Sequence, residues 1–472
     1  MNETVIVWFR RDFRLNDHTA LEKAIAYCEE NDASWVGLFQ LDPHFTEKIN
    51  LHHDYFFQTV AQFQNRCLKN DVPFHIVSGE PIHVFEKVTS NLNVKAVFYN
   101  EDEAGYGASR DKKVSDWLYE NGIEVHAYQD YYLHGSKEVR KSDGTMYQVF
   151  TPYYKQWRTV QKPKSINIDL KHLQIGAQKS KDMLDPVSER EFNDVLKKCK
   201  RKWKALGEEN ALKRVKHFVK VRLSGYDDYR DLPSIVGTSK LSPYLKTGCL
   251  SVRTLYQIIA DYDNQGTETF IQELAWRDFY GMVHAEFPEF RQKEFQSKYR
   301  DIPWNDDEDR LQKWKDGETG FPIVDAGMRQ LNKEGWMHNR LRMITASFLT
   351  KDYLIDWRLG ERYFEEKLID YDESSNTGGW QWASSTGTDA VPYFRIFNPT
   401  TQAERFDSEG SYIKKYVEEL KNVPVKYIHQ PDKMSEAEQK ESQCILGKDY
   451  PYPTVNHKEQ RQKVLSVYKE RT

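Results

Sequence analysis

Residues 370–399 read DYDESSNTGGWQWASSTGTDAVPYFRIFNP, and neither a strand period nor a helix period accounts for them. Asp370 and Asp372 are acceptors for hydroxyl or amine groups, and Gly378 and Gly379 let backbone approach a ligand closely because they lack Cβ. Trp380 and Trp382 flank Gln381, so an extended segment would send them to opposite faces. An irregular surface loop is the bland reading. Two tryptophans and the Tyr393-Phe394 pair speak against full exposure and for the lining of a pocket.

The rest of the chain sets the frame. At 472 residues it exceeds one ordinary core, so two domains are expected. The net charge of -4, with 30% charged residues, gives no global basic field, and DNA binding would need a local patch. Twelve Trp and 28 Tyr point to aromatic-rich pockets. Cys28, Cys67, Cys199, Cys249 and Cys444 form no CxxC pair, which argues against disulfides or a structural metal and suits a reducing cytoplasm. We read no signal peptide and no apolar run of the ~20 residues a bilayer requires.

In chain order, the apolar runs 4–9, 34–41, 74–78, 96–100 and 125–128 read as strands. They alternate with helical patterns over 20–28, 54–69, 84–92 and 109–120. That alternation implies an α/β doubly wound parallel sheet, a Rossmann-like domain over 1–130, although no G-x-G-x-x-G follows the first strand. Residues 131–200 lose regularity and read as a connector punctuated by Gly144, Pro152, Pro163 and Pro186. The run 197–222 carries eleven Lys or Arg, with apolar positions at helical spacing, and reads first as a solvated helix face. From 201 to 472 the 3.6-residue period dominates, over 252–262, 270–286, 321–334, 339–349 and 361–368, so this part is expected to be all-α.

Three blocks in order carry a resemblance: GTSKLSPYL at 237–245, GWMHNRLRM at 335–343, and the 370–399 segment itself. With the opening WFRRDFR at 8–14 they resemble the photolyase/cryptochrome family from Val5 to about Lys458. The resemblance implies a helical FAD-binding catalytic domain behind the α/β antenna domain, and within the family it is to the class I cyclobutane pyrimidine dimer photolyases. It implies that Thr238, Ser239, Lys240, Leu241 and Ser242 cradle the FAD pyrophosphate, whereas the residues alone favour an ordinary helix cap. Tyr226, Phe270, Glu273, Arg277, Trp336, Asn339, Arg342, Asp370, Tyr371, Asp372 and Asn376 would line the flavin. Phe270 stands where close relatives often have Trp. Asn376 falls at the position facing flavin N5, where plant cryptochromes tend to carry Asp, and so leans toward a repair enzyme.

Trp380, Trp357 and Trp304 match the family's electron relay, with Trp304 outermost; taken without the resemblance they read as core residues. For the substrate, Trp276 and Trp382 resemble the walls that grip a flipped dimer and Met343 its apolar floor, with Glu273 as partner for the imide edge. Arg230, Arg340 and Arg395, with Lys246 as a further candidate, would meet phosphates, and Tyr280, Arg277, Asn339 and Gln402 complete the DNA-facing set. Enzymes acting on (6-4) photoproducts use two histidines where Asn339 and Met343 stand here; His338 is off by one and would face elsewhere on a helix. An antenna chromophore of folate or deazaflavin/flavin type stays open. Asn100-Glu101 suits a folate, but Tyr106-Gly107 departs from the folate-contacting pattern. The expectation is a monomeric, cytoplasmic enzyme that repairs UV-damaged DNA in light without a metal. The alternative is a cryptochrome-type blue-light photoreceptor on the same fold.

Overall fold

The computed structural model describes residues 3–178 and 185–471 of the chain. The five apolar runs form five strands: β1 (Thr4–Phe9), β2 (Ser34–Leu41), β3 (Phe74–Ser78), β4 (Val94–Asn100) and β5 (Glu124–Tyr128). They lie in the order β3-β2-β1-β4-β5 with every neighbouring pair parallel. All six β1 residues are buried, as a central parallel strand covered on both faces requires. Trp8 on β1, Val36 and Leu38 on β2, and Phe85 and Val114 on flanking helices share one core cluster.

Two compact units emerge. The first comprises Met1–Tyr147, Thr151–Leu223 and Ser239–Pro288; the second comprises Gln148–Phe150, Ser224–Thr238 and Glu289–Thr472. The second unit is helical, built around Pro322–Glu334, Asn339–Ser347, Trp357–Lys367 and Glu373–Ala383. Their apolar faces meet in one cluster that includes Trp314, Leu331, Leu341, Trp357, Phe364 and Trp380.

Three local expectations change. Residues 373–383, expected to be irregular, form a helix, because Asp372 caps it by accepting from the Ser375 backbone N–H (2.9 Å). Trp380 and Trp382 still point apart, since two residues turn a helix by about 200°. His338 is not on the helical surface: it caps Asn339–Ser347, its Nδ1 accepting from the Arg340 N–H (3.2 Å). The region 131–200 holds helices at Phe150–Thr159 and Pro186–Lys198. In the latter, Asp185 caps, Pro186 opens the first turn, and Ser188, Phe192 and Val195 share a buried stripe.

Candidate functional site

In the second unit, the two motif blocks are tied together by backbone. Gly335 ends the helix Pro322–Glu334 at φ +70°, a left-handed conformation that glycine adopts without strain. Its carbonyl then accepts from the Ile369 N–H at 2.8 Å, which brings Asp370 to the 335–343 block. Arg342 donates Nε to the Met337 carbonyl (2.9 Å) and Nη2 to both Asp370 oxygens (3.0 and 2.8 Å). The guanidinium is thereby fixed in plane by three acceptors.

Asn376, one turn into the capped helix, is oriented by a residue that no motif singled out. Its Nδ2 donates to the Glu361 backbone carbonyl (3.3 Å) and to Glu361 Oε1 (3.1 Å). Both partners are acceptors, so the amide must turn its NH2 toward them and present Oδ1 on the other side. Glu361 is buried and also accepts from Tyr371 Oη (3.0 Å) and Arg291 Nε (3.2 Å). Burial raises its pKa, with Arg291 opposing. A signal for Glu361 was present in the sequence: it occupies the apolar stripe of Trp357, Phe364 and Leu368, where an acid is out of place. The hydroxyl of Thr377, wholly buried, has no partner among the described residues.

These residues fit a flavin. An amide oxygen held ready to accept, a carboxylate-locked guanidinium and an unpartnered buried hydroxyl suit a polar ring edge that both donates and accepts. In the expected phosphate block Lys240 has φ +52°, Leu241 follows at φ -92°, ψ -11°, and the Leu241 N–H donates to Ser239 Oγ at 3.3 Å. Thr238 falls in the second unit and Ser239 to Ser242 in the first. The helix after them is Ser242–Lys246.

Phe270, Glu273, Trp276, Arg277 and Tyr280 all lie on one helix of the first unit, Gln265–Glu286. Trp276 is half-buried beside Tyr280 (centroids 5.5 Å, 30°) and edge-on to Phe279 (5.6 Å). Arg277 donates to the Tyr131 carbonyl (2.6 Å) and lies over that ring at 3.8 Å. Phe270 packs against Phe218 at 5.1 Å. In the second unit Arg230 lies 5.8 Å from the Tyr226 ring. Arg340 pairs with Asp231 (2.5 Å) and lies 4.4 Å from Phe406, whose helix Pro399–Phe406 also carries Gln402. Asn339 is exposed and approaches Met343 Sδ at 3.9 Å, Trp336 is half-buried, Trp382 packs on Phe397 (6.2 Å), and Arg395 is exposed.

Of the relay residues, Trp357 and Trp380 are buried and Trp304 is partly so. Trp380 packs against Gly360, one turn beyond Trp357, where any Cβ would strike its ring. Asn305 bridges to Ile355 and donates to the Tyr353 carbonyl (2.7 Å), which ties Trp304's segment to the approach to Trp357.

At the sheet, Asn100 donates to Asp12 (2.8 Å) and accepts from the Ala20 N–H (3.0 Å), which commits both ends of the amide that a folate would use. Tyr106 donates to Asp42 (2.5 Å) and stacks on His44 (5.6 Å, 17°).

Family models for "DNA photolyase" and "FAD binding domain of DNA photolyase" match residues 5–169 and 270–470. The chain belongs to the DNA photolyase family. A deoxyribodipyrimidine photo-lyase of Alkalihalophilus pseudofirmus is 53% identical over 468 residues, covering 98% of this chain and 97% of that one. Among solved structures, a class III photolyase from Agrobacterium tumefaciens superposes with TM-score 0.90 at 31% identity, covering 100% of this chain and 98% of that one. A cryptochrome from Synechocystis sp. PCC6803 superposes at 0.87 and 29%, covering 98% and 99%. A photolyase-type FAD-binding domain agrees with the cofactor expected from the motifs. Among the described residues no helix is long and apolar enough to cross a membrane, and no three His, Cys, Asp or Glu side chains are grouped to hold a metal ion.

Proposed function

We propose that this chain is a light-dependent DNA repair enzyme that splits cyclobutane pyrimidine dimers with FAD. The observation that carries this reading is the Asn376 amide, locked by Glu361 so that Oδ1 is offered as an acceptor to a protonated ring nitrogen. Bound in reduced form and excited by light, FAD supplies the electron that opens the cyclobutane ring and takes it back afterwards. The protein's part is binding, orientation and electrostatics. Asn376 would accept from the flavin and Arg342 and Asp370 would help to hold it, while Asp372 keeps the helix start in place. By the family resemblance Tyr226, Thr238, Ser239, Lys240, Leu241, Ser242, Phe270, Glu273, Arg277, Trp336, Asn339 and Tyr371 would line the flavin.

The dimer must leave the base stack to react, and Trp276 and Trp382 offer the aromatic walls for it, with Met343 as floor. Glu273 meets the imide edge, and Arg230, Arg340 and Arg395 meet backbone phosphates, which reconciles DNA binding with a net charge of -4. Tyr280 and Gln402 flank this set. Trp380, Trp357 and Trp304 serve to reduce the flavin in light. We place the enzyme in the cytoplasm as a monomer, one flavin and one lesion per chain.

A second reading, a blue-light photoreceptor, is favoured by the likeness to the Synechocystis cryptochrome. The test is repair of a thymine-dimer oligonucleotide by reduced protein under blue light, beside a dark control and a (6-4) substrate. Light-dependent loss of the cyclobutane dimer alone is expected, and Trp276→Ala should weaken binding of dimer-containing DNA by about tenfold, the weight of one lost aromatic stack. Bound, reduced flavin with no repair of either lesion would leave the photoreceptor.

A further inference from the structure

A buried carboxylate that neither the flavin nor the DNA assignment uses stands against the middle tryptophan of the relay. The Trp357 indole N–H donates to Glu294 Oε1 at 3.1 Å, and the Glu294 side chain is 1% exposed. The other oxygen accepts from Arg358 Nη2 at 2.7 Å. Arg358 also meets Asp356 Oδ1 at 3.0 Å, and its Cζ lies 4.8 Å from the Trp357 ring centroid. Arg300 Nε also donates to the Glu294 backbone carbonyl (3.2 Å), but the charged atom hydrogen-bonded to the indole nitrogen is a carboxylate oxygen.

Trp380 is different. It is 2% exposed, and its Nε1 has no partner among the described residues. Its neighbours are the rings of Phe364 (5.0 Å) and Trp314 (5.9 Å) and the bare backbone of Gly360. Among the described residues a positive charge on Trp380 meets no hydrogen-bond acceptor at Nε1; one on Trp357 meets a charge-assisted hydrogen bond in a water-poor interior, where such bonds are strongest.

We propose that Glu294 is a positioning residue of the relay: its carboxylate makes Trp357 easier to oxidise than Trp380, so the electron vacancy moves outward and does not return. This rests on the reading of Trp380, Trp357 and Trp304 as the relay. Trp380 gives one electron to light-excited, oxidised FAD and regains one from Trp357. The Trp357 N–H proton stays in its bond to Oε1, Trp304 refills Trp357, and a soluble thiol refills Trp304. No covalent bond of the protein is made or broken.

The experiment is flash photolysis of the protein carrying oxidised FAD, comparing wild type, Glu294→Gln and Trp357→Phe, with flavin absorbance and thermal midpoint as checks on folding. Glu294→Gln keeps the shape and removes the charge. We expect the tryptophan-radical signal at Trp304 to rise about tenfold more slowly, or with correspondingly lower yield, in a protein that binds flavin normally. An unchanged rise overturns the proposal and leaves the relay intact. If wild type forms no tryptophan radical, or Trp357→Phe does not abolish it, the relay reading itself fails and the proposal with it. If Glu294→Gln does not hold flavin, the resonance Raman difference between wild type and Trp357→Phe decides. A strongly hydrogen-bonded indole N–H supports the role of Glu294, and a weakly bonded one overturns it.

Discussion

Two buried polar networks, one in each unit, are built from the same residue types and end differently. In the first unit Asp130 accepts from Arg14, from Arg253 (2.6 Å) and from Thr19 Oγ1 (2.6 Å), while Arg253 also donates to Asp17 (2.9 Å). All four charged side chains are almost fully buried and each charge meets its opposite. Burial pushes Asp130 up, but Arg14 and Arg253 outweigh it and hold the carboxyl well below its ordinary range. In the second unit Arg342 and Asp370 form a comparable pair, but a few residues on, Asn376, held by Glu361 on one side, keeps a half-buried amide oxygen, and the Thr377 hydroxyl has no partner among the described residues. A network that closes on itself holds architecture together; one that stops short leaves polar atoms for a ligand.

The largest test of that contrast is Asp130→Ala. It strands two buried guanidinium groups and is expected to cost about 3–5 kcal/mol in urea unfolding. A loss below about 1 kcal/mol would mean that the first network is not structural. The next effect is on pH. Asp278, also in the first unit, is buried and accepts from neutral N–H donors, Trp157 Nε1 (2.9 Å), His134 N (3.0 Å) and Leu133 N (3.3 Å), with the Arg277 charge opposing the effect of burial. Burial pushes it up to about 6 from 3.8. The folded state therefore binds this proton more tightly than the unfolded one, and the contribution is favourable at low pH and lost as pH rises through about 6. Between about pH 4 and pH 6.5 the stability of wild type relative to Asp278→Asn should fall by on the order of 2 kcal/mol, read from paired denaturation curves. A flat difference would show that the N–H donors alone satisfy the charge. The smallest effect belongs to the open network. Asn376→Ala should weaken flavin binding about tenfold, or about 1.4 kcal/mol, while stability of the flavin-free protein moves by less than about 1 kcal/mol, because this amide is half-buried and Glu361 keeps Tyr371 and Arg291 as donors. Fluorescence titration with FAD beside a urea curve gives both numbers. Equal losses in the two would erase the contrast.

The sheet was legible because its central strands are short β-branched or aromatic runs buried on both faces, as β1 shows in TVIVWF, whereas the edge strand β5 (EVHAY) has no buried residue. The site was legible only in part. Arg342, Asp370 and Asn376 sit in motif blocks, and the structure joins the first two directly. Glu361 and Glu294 carry no motif, because their meaning depends on partners 15 and 63 residues away. The helix over Glu373–Ala383 was missed for a local reason: two glycines and three Ser or Thr weaken its propensity, and packing of Trp380 against Phe364 and Gly360 overrides that.

By itself the sequence determined the α/β unit, the helical character of the remainder and the family, since apolar period and ordered motif blocks are local properties of the chain. Tertiary structure alone decided which atoms remain available: that Asn376 presents its oxygen, that the Trp357 N–H meets a carboxylate while the Trp380 N–H meets no partner among the described residues, and that Asp130 beside the sheet is already paired. Hydrogen-bond capacity is consumed pair by pair in space, and a residue's remaining donors and acceptors can be counted only once its partners have been folded against it.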